Sequence, residues 1–177
     1  MTFDVAKNFK ANTADHQLEI IRDEAPYRHL RCRTPGTGIW GWDIITWPGY
    51  LTITGDIGTF TFCRETDMIR DFFSGPVNVG YWLEKCKSWD RNSSPAGDLS
   101  MDSIREHLAS RGVLDKADMI AIEDAANTND SDGLLRELMR AYPDAWDWDV
   151  REPDSQAVRC LYAISWTRKA YLKAVSS

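Results

Sequence analysis

Between Arg28 and Arg64 the apolar residues fall at nearly every second position, and glycine or proline interrupts them at short intervals. Successive side chains of a strand point to opposite faces, so period two marks a sheet with one buried face. In "RHLRCRT", Leu30 and Cys32 share a face opposite His29, Arg31 and Arg33. In "GIWGWDIITW", Trp40, Trp42 and Ile44 oppose Ile39, Asp43 and Ile45; in "YLTIT", Leu51 and Ile53 oppose Thr52 and Thr54. In "TFTFCR", Phe60 and Phe62 oppose Thr59, Thr61 and Cys63. Connections this short make the neighbours antiparallel. Pro48 and Gly49 suit a type II turn, whose twist matches a hairpin poorly, so a longer loop or bulge is expected around Trp47–Tyr50. Gly55 and Gly58 bracket the next turn.

Around this meander the period is helical. Residues 2–25 read as a weak helix, with Leu18 and Ile21 three apart and Pro26 ending it. Thr66 is placed to cap a helix carrying Met68, Ile69, Phe72 and Phe73, and Asn78 one carrying Trp82, Cys86 and Trp89. These two helices are expected to cover the apolar face of the sheet. The Ser-, Pro- and Gly-rich run 88–100 reads as a linker or long loop. Beyond it, Ser100 and Asp115 suit N-caps, with Leu99/Ile104 and Leu114/Met119 as hydrophobic staples and Gly112 closing the first helix. "SDGLLRELMRAYP" predicts a further helix with Leu134, Leu135, Leu138 and Met139, and the last runs from about Asp154 to Val175. In that helix Val158, Leu161, Ser165 and Leu172 share a face and Arg168, Lys169 and Lys173 turn away. The expected fold is α+β: a four-stranded antiparallel meander covered by two helices, then a mainly helical C-terminal region. The expected domains are 1–90, a linker 91–99, and an acidic helical region 100–177.

Hydrophobic residues at 43% and charged residues at 27% are a globular composition, and eight tryptophans supply large surfaces for a core or a contact. The net charge of −6 argues against passive binding to phosphates. It is concentrated: residues 100–155 hold 6 Lys/Arg against 14 Asp/Glu, while 156–177 hold four basic residues and no acid. The first sixteen residues lack the apolar core of a signal peptide, and no apolar run reaches the ~20 residues of a membrane span, so no membrane association is expected. Cys32, Cys63, Cys86 and Cys160 form no C-x-x-C pair and are expected to be reduced.

Motifs with chemical content fail on context. "GTGIWG", Gly36–Gly41, matches G-x-G-x-x-G but leads into a strand, not the helix whose amides would face a pyrophosphate. "TNDSDG", Thr128–Gly133, lacks both anionic anchors of an EF-hand loop and suits a helix-to-helix turn. His16, His29 and His107 have no partner at a metal-binding or catalytic spacing. No catalytic residue, cofactor or metal is predicted. "DAWDWDV" interleaves Asp144, Asp147 and Asp149 with Trp146 and Trp148, as either a turn with inward tryptophans or an acidic, aromatic contact surface.

The block His29–Phe73, with its "HLR" strand, "ITWPG", "GD-GT" and apolar "DM" helix, followed by Tyr81, Trp82, Glu84 and Lys85 as "YW-EK", resembles small accessory proteins of tailed phages and prophages. It covers roughly residues 28–90. The resemblance implies a phage gene product working in a bacterial cytoplasm, where proteins without catalytic motifs often inhibit host defence complexes, CRISPR complexes included. The leading expectation is therefore a stoichiometric inhibitor of a host protein or defence ribonucleoprotein, with no direct nucleic-acid contact. Its expected contact residues are Asp144, Trp146, Asp147, Trp148, Asp149, Glu123, Asp124, Asp130 and Asp132, an acidic surface suited to a Lys/Arg channel. Two alternatives stand beside it. One is an enzyme whose site gathers distant residues such as Asp43, Asp56, His29 or His107. The other is a nucleic-acid binder using His29, Arg31 and Arg33 or the basic last helix.

Overall fold

The computed structural model describes residues 4–90, 95–112, 115–128 and 130–176. The chain is α+β and groups into two compact units, Met1–Pro95 with Pro153–Ser177, and Ala96–Glu152. The last helix therefore belongs to the sheet unit, which corrects its expected place in a helical region 100–177. Leu114, Asn129 and residues 2, 3 and 91–94, which the expected staple, turn, first helix and linker include, lie outside the described residues.

The sheet unit opens with α1, Val5–Asn12, whose cap Asp4 accepts from the Lys7 amide. Six strands follow, each antiparallel to its neighbours and in chain order across the sheet: β1 Gln17–Glu24, β2 Tyr27–Arg33, β3 Trp42–Trp47, β4 Tyr50–Gly55, β5 Phe60–Cys63 and β6 Cys86–Trp89. The four strands expected from the alternation are the inner four. Both outer strands were expected to be helical. β1 pairs Leu18 with Cys32 and Ile20 with Leu30, then slips at a bulge so that Arg22 faces His29. Most of its side chains are exposed, so it carries no clean period. The helix capped by Asn78 is short, α2 Val79–Leu83; the spacing of Cys86 and Trp89 belongs instead to β6, where they oppose Phe62 and Phe60.

The hairpin between β3 and β4 is tight: Trp47 pairs with Tyr50, leaving Pro48 and Gly49 as a two-residue loop. This corrects the expected longer loop. The Trp47 and Tyr50 rings stack at 5.2 Å, Gly49 takes φ 85°, its amide donates to the Thr66 carbonyl, and its carbonyl accepts from the Arg64 amide. Those contacts hold a turn whose intrinsic twist is unfavourable. At Gly55, φ 148°, a Cβ would stand 2.7 Å from Trp42 Cα, so strands β3 and β4 approach this closely only with glycine there.

The apolar face of the sheet, with Leu30, Ile44, Leu51, Ile53, Phe60 and Phe62, is covered chiefly by α6, Ser155–Val175, together with α1, α2 and a single π-helical turn, Met68–Phe72. Asp67, not the expected Thr66, caps that turn by accepting from the Arg70 amide. Arg28 falls on the same face as Leu30 and Cys32 and is buried with its charge. Its guanidinium donates to both Asp67 oxygens at 3.0 and 2.7 Å and to Tyr171 Oη at 3.0 Å, and Tyr171 donates to Asp23. Burial opposes the Arg28 charge, but these hydrogen bonds outweigh it and leave its pKa raised. The hub ties β1, β2, the π turn and α6 together.

The helical unit begins and ends in a two-residue ladder, β7 Asp98–Leu99 against β8 Arg151–Glu152. Between them lie α3 Met101–Ser110, α4 Lys116–Ala126, α5 Ser131–Ala141 and a 3-10 turn, Ala145–Asp147. Ser100 and Asp115 cap α3 and α4 through their side chains. Ile104, Leu108, Ile122, Leu134, Leu138 and Val150 form a separate core. Among the described residues no helix is long and apolar enough to cross a membrane.

Candidate functional site

The "DAWDWDV" stretch is a built turn. α5 stops at Ala141 ahead of Pro143, and buried Ala145 and Val150 pin the turn to the helical core. Trp148 is half-buried. Its ring lies 4.3 Å from that of His107 and 5.4 Å from that of Tyr142, and the Arg111 guanidinium sits 5.3 Å from its centroid. Asp144 Oδ2 accepts from Arg111 Nη1 at 2.7 Å and from Trp148 Nε1 at 3.2 Å, which holds its carboxyl below the usual range. The two tryptophans therefore divide. Trp148 belongs to the scaffold, whereas Trp146 is 69% exposed.

The acids divide in the same way. Glu123 accepts from Arg105 at 2.8 Å, and Asp130 pairs with Arg136 at 3.5 Å. Asp124, Asp132, Asp147 and Asp149 are exposed and form no ion pair among the described residues. Of the nine residues expected to contact a partner, Asp144, Trp146, Asp147, Trp148 and Asp149 come together in one turn. Glu123 and Asp124 lie on α4, and Asp130 and Asp132 flank the start of α5.

The uncovered face of the sheet carries the other candidate residues. The register sets Arg31 opposite Asp43, and Arg31 donates two hydrogen bonds of 2.9 Å to its carboxylate. His29 Nε2 donates to the same carboxylate at 2.9 Å. Partial burial raises the Asp43 pKa, but the bonds from Arg31 and His29 and their charge outweigh it, leaving it lowered. Arg33 lies 3.9 Å from Glu19, so the two arginines named on this strand face for a nucleic-acid surface each have an acid beside them, whereas Lys169 of the last helix is exposed and in no ion pair among the described residues. A counterion-release contact needs unmatched cations.

Beside His29 a groove of about 590 Å³ is lined by Ile21, Tyr27, Ile45 and Trp47. Ile21 comes to this face because β1 is a strand and not the expected helix, and the turn residues "EAP", Glu24–Pro26, are the sequence signal for the β1–β2 hairpin. Of the residues named for an enzyme site, His29 and Asp43 meet, Asp56 instead accepts from the Trp40 amide at 2.7 Å, and His107 packs on Trp148 in the helical unit. Arg31 already compensates Asp43, and the nearby Thr54 and Thr59 hydroxyls bond each other at 2.9 Å. The pair is thus embedded in a cross-strand lattice of hydrogen bonds. His16 is a packing residue: Nε2 donates to the Trp40 carbonyl, Thr34 Oγ1 donates to Nδ1, and the ring stacks on Trp42 at 5.2 Å. Among the described residues no group of three His, Cys, Asp or Glu is placed to hold a metal ion. The chain matches no family model, no curated protein and no solved structure.

Proposed function

We propose that the protein acts by stoichiometric binding to another protein, as a phage-encoded inhibitor of a bacterial defence complex in the host cytoplasm, with the unit Ala96–Glu152 as its contact surface. One observation carries this reading: Trp146 stands 69% exposed between acids, on a turn whose other tryptophan is locked in place. A large ring held out by a rigid turn is the kind of side chain that anchors interfaces. The same unit holds 14 acidic and 6 basic residues, a charge that would steer it toward a basic partner. Internal pairing of Asp144, Glu123 and Asp130 with arginines favours an anchored aromatic contact over mimicry of nucleic acid by charge alone. The likeness of residues 28–90 to phage accessory proteins supports the cellular setting.

Affinity capture from host lysate, with mass spectrometry of what is retained, tests it. A single host protein or complex should co-purify in fixed ratio and weaken partly with salt. Trp146→Ala should cost about 2 kcal/mol or more, roughly thirtyfold in affinity. Retention unchanged by that substitution contradicts the assignment.

A further inference from the structure

Within the sheet unit, α1 and α6 face each other across a groove of about 410 Å³. Its walls follow from helical spacing. Ala6, Phe9 and Lys10 form one stripe of α1, continued by Thr13 at its C-cap, and Tyr162, Ser165, Trp166 and Lys169 one stripe of α6. Phe9 and Tyr162 lie 6.2 Å apart with rings nearly parallel, and Trp42 beneath contacts both Phe9 and Trp166. Ala6 and Ala14 leave space that larger side chains would fill.

Two polar features converge on this aromatic slot. Ser165 is only 6% exposed, yet its hydroxyl has no hydrogen-bond partner among the described residues. Two residues on, Thr167 donates to the Ala163 carbonyl four residues back, the usual resort of a helical hydroxyl. The Ser165 Oγ is thus accessible from the groove and free to donate to a bound group. At the rim stand Lys10 and Lys169, exposed and in no ion pair among the described residues.

The geometry points to a binding site for a small aromatic carboxylate. Its ring would lie between Phe9, Tyr162 and Trp166, and its carboxylate would accept from Ser165 and face the two ammonium groups. A mostly apolar slot of this volume with a few placed polar groups is the usual form of a small-molecule site. The site is independent of the role proposed for Ala96–Glu152.

Titration of the full chain with 2-naphthoate, and separately with the neutral 2-naphthalenemethanol, followed by amide NMR shifts, tests it. Saturable 2-naphthoate binding is expected, with shifts clustered on residues 6–14 and 162–169 and the alcohol at least tenfold weaker. Lys10→Gln with Lys169→Gln should abolish that preference, and Ser165→Ala should weaken the acid severalfold. Both lysines are exposed, so the double variant should keep the wild-type spectrum away from the groove. Equal affinity for acid and alcohol, acid binding insensitive to the double variant, shifts centred elsewhere, or no saturation at millimolar 2-naphthoate would each overturn the assignment.

Discussion

At the scale of single residues, a few buried polar atoms tie the core of the sheet unit together. Thr167 Oγ1 accepts from Trp42 Nε1 at 2.8 Å, donates to Ala163, and sits 3.3 Å from Cys32 Sγ, all in the core. Thr167→Val keeps the shape but strands the indole N–H. It should cost about 1–3 kcal/mol, read as a fall of several degrees in the melting temperature, with little change in the circular dichroism of the folded state. Asp43 makes a pH prediction of definite sign. Its folded pKa lies below the ordinary 3.8, so its contribution to stability is present above 3.8 and disappears as the pH falls through the lowered folded value. The contribution should be about 1 kcal/mol or less. Denaturant midpoints of wild type and Asp43→Asn should therefore differ at neutral pH and converge in strong acid. A gap that widens on acidification contradicts the pairing with Arg31 and His29.

At the scale of elements, α6 matters most to the sheet. Cys160 on α6 and Cys32 on β2 are fully buried, and burial raises both thiols, Cys32 to about 12. Cys63 and Cys86 are partly exposed. Under native conditions iodoacetamide should label Cys63 and Cys86 first, with Cys32 and Cys160 modified only on unfolding. Early labelling of Cys160, located by peptide mass mapping, would mean that α6 is not docked as described. The inner strands were legible because each alternates over four or more residues with one face fully buried. β1 was not, since an edge strand with most side chains exposed has no buried face to impose a period. Trp82, Cys86 and Trp89 satisfy helical spacing by coincidence, and only pairing with β5 decides against it. Arg28 shares the parity of Leu30 and Cys32, but a buried arginine is not expected from parity alone, because its partners Asp67 and Tyr171 lie 39 and 143 residues away. The odd acidic turn could be picked out in sequence. Which of its acids stay outward could not, because the pairing of Asp144 with Arg111 spans 33 residues.

At the scale of the whole molecule, the helical unit is inserted between β6 and α6. The β7–β8 ladder pairs Asp98 with Glu152, so the ends of the insertion lie side by side. An inserted unit with adjacent ends and its own core can vary without disturbing the sheet unit. Charge follows the same division: the unit Ala96–Glu152 has eight more acids than bases, against a net of −6 for the chain, which leaves the sheet unit slightly positive. Contact with a partner through the inserted unit is the central claim, and the competing surface is the uncovered sheet face with Tyr27 and Ile45 exposed. The direct test is parallel affinity capture from host lysate with three baits: wild type, a Trp146→Ala, Asp147→Asn, Asp149→Asn variant, and a Tyr27→Ser, Ile45→Thr variant. The turn variant should lose the captured host protein by tenfold or more while the sheet variant retains it; loss with the sheet variant and retention with the turn variant would contradict the claim.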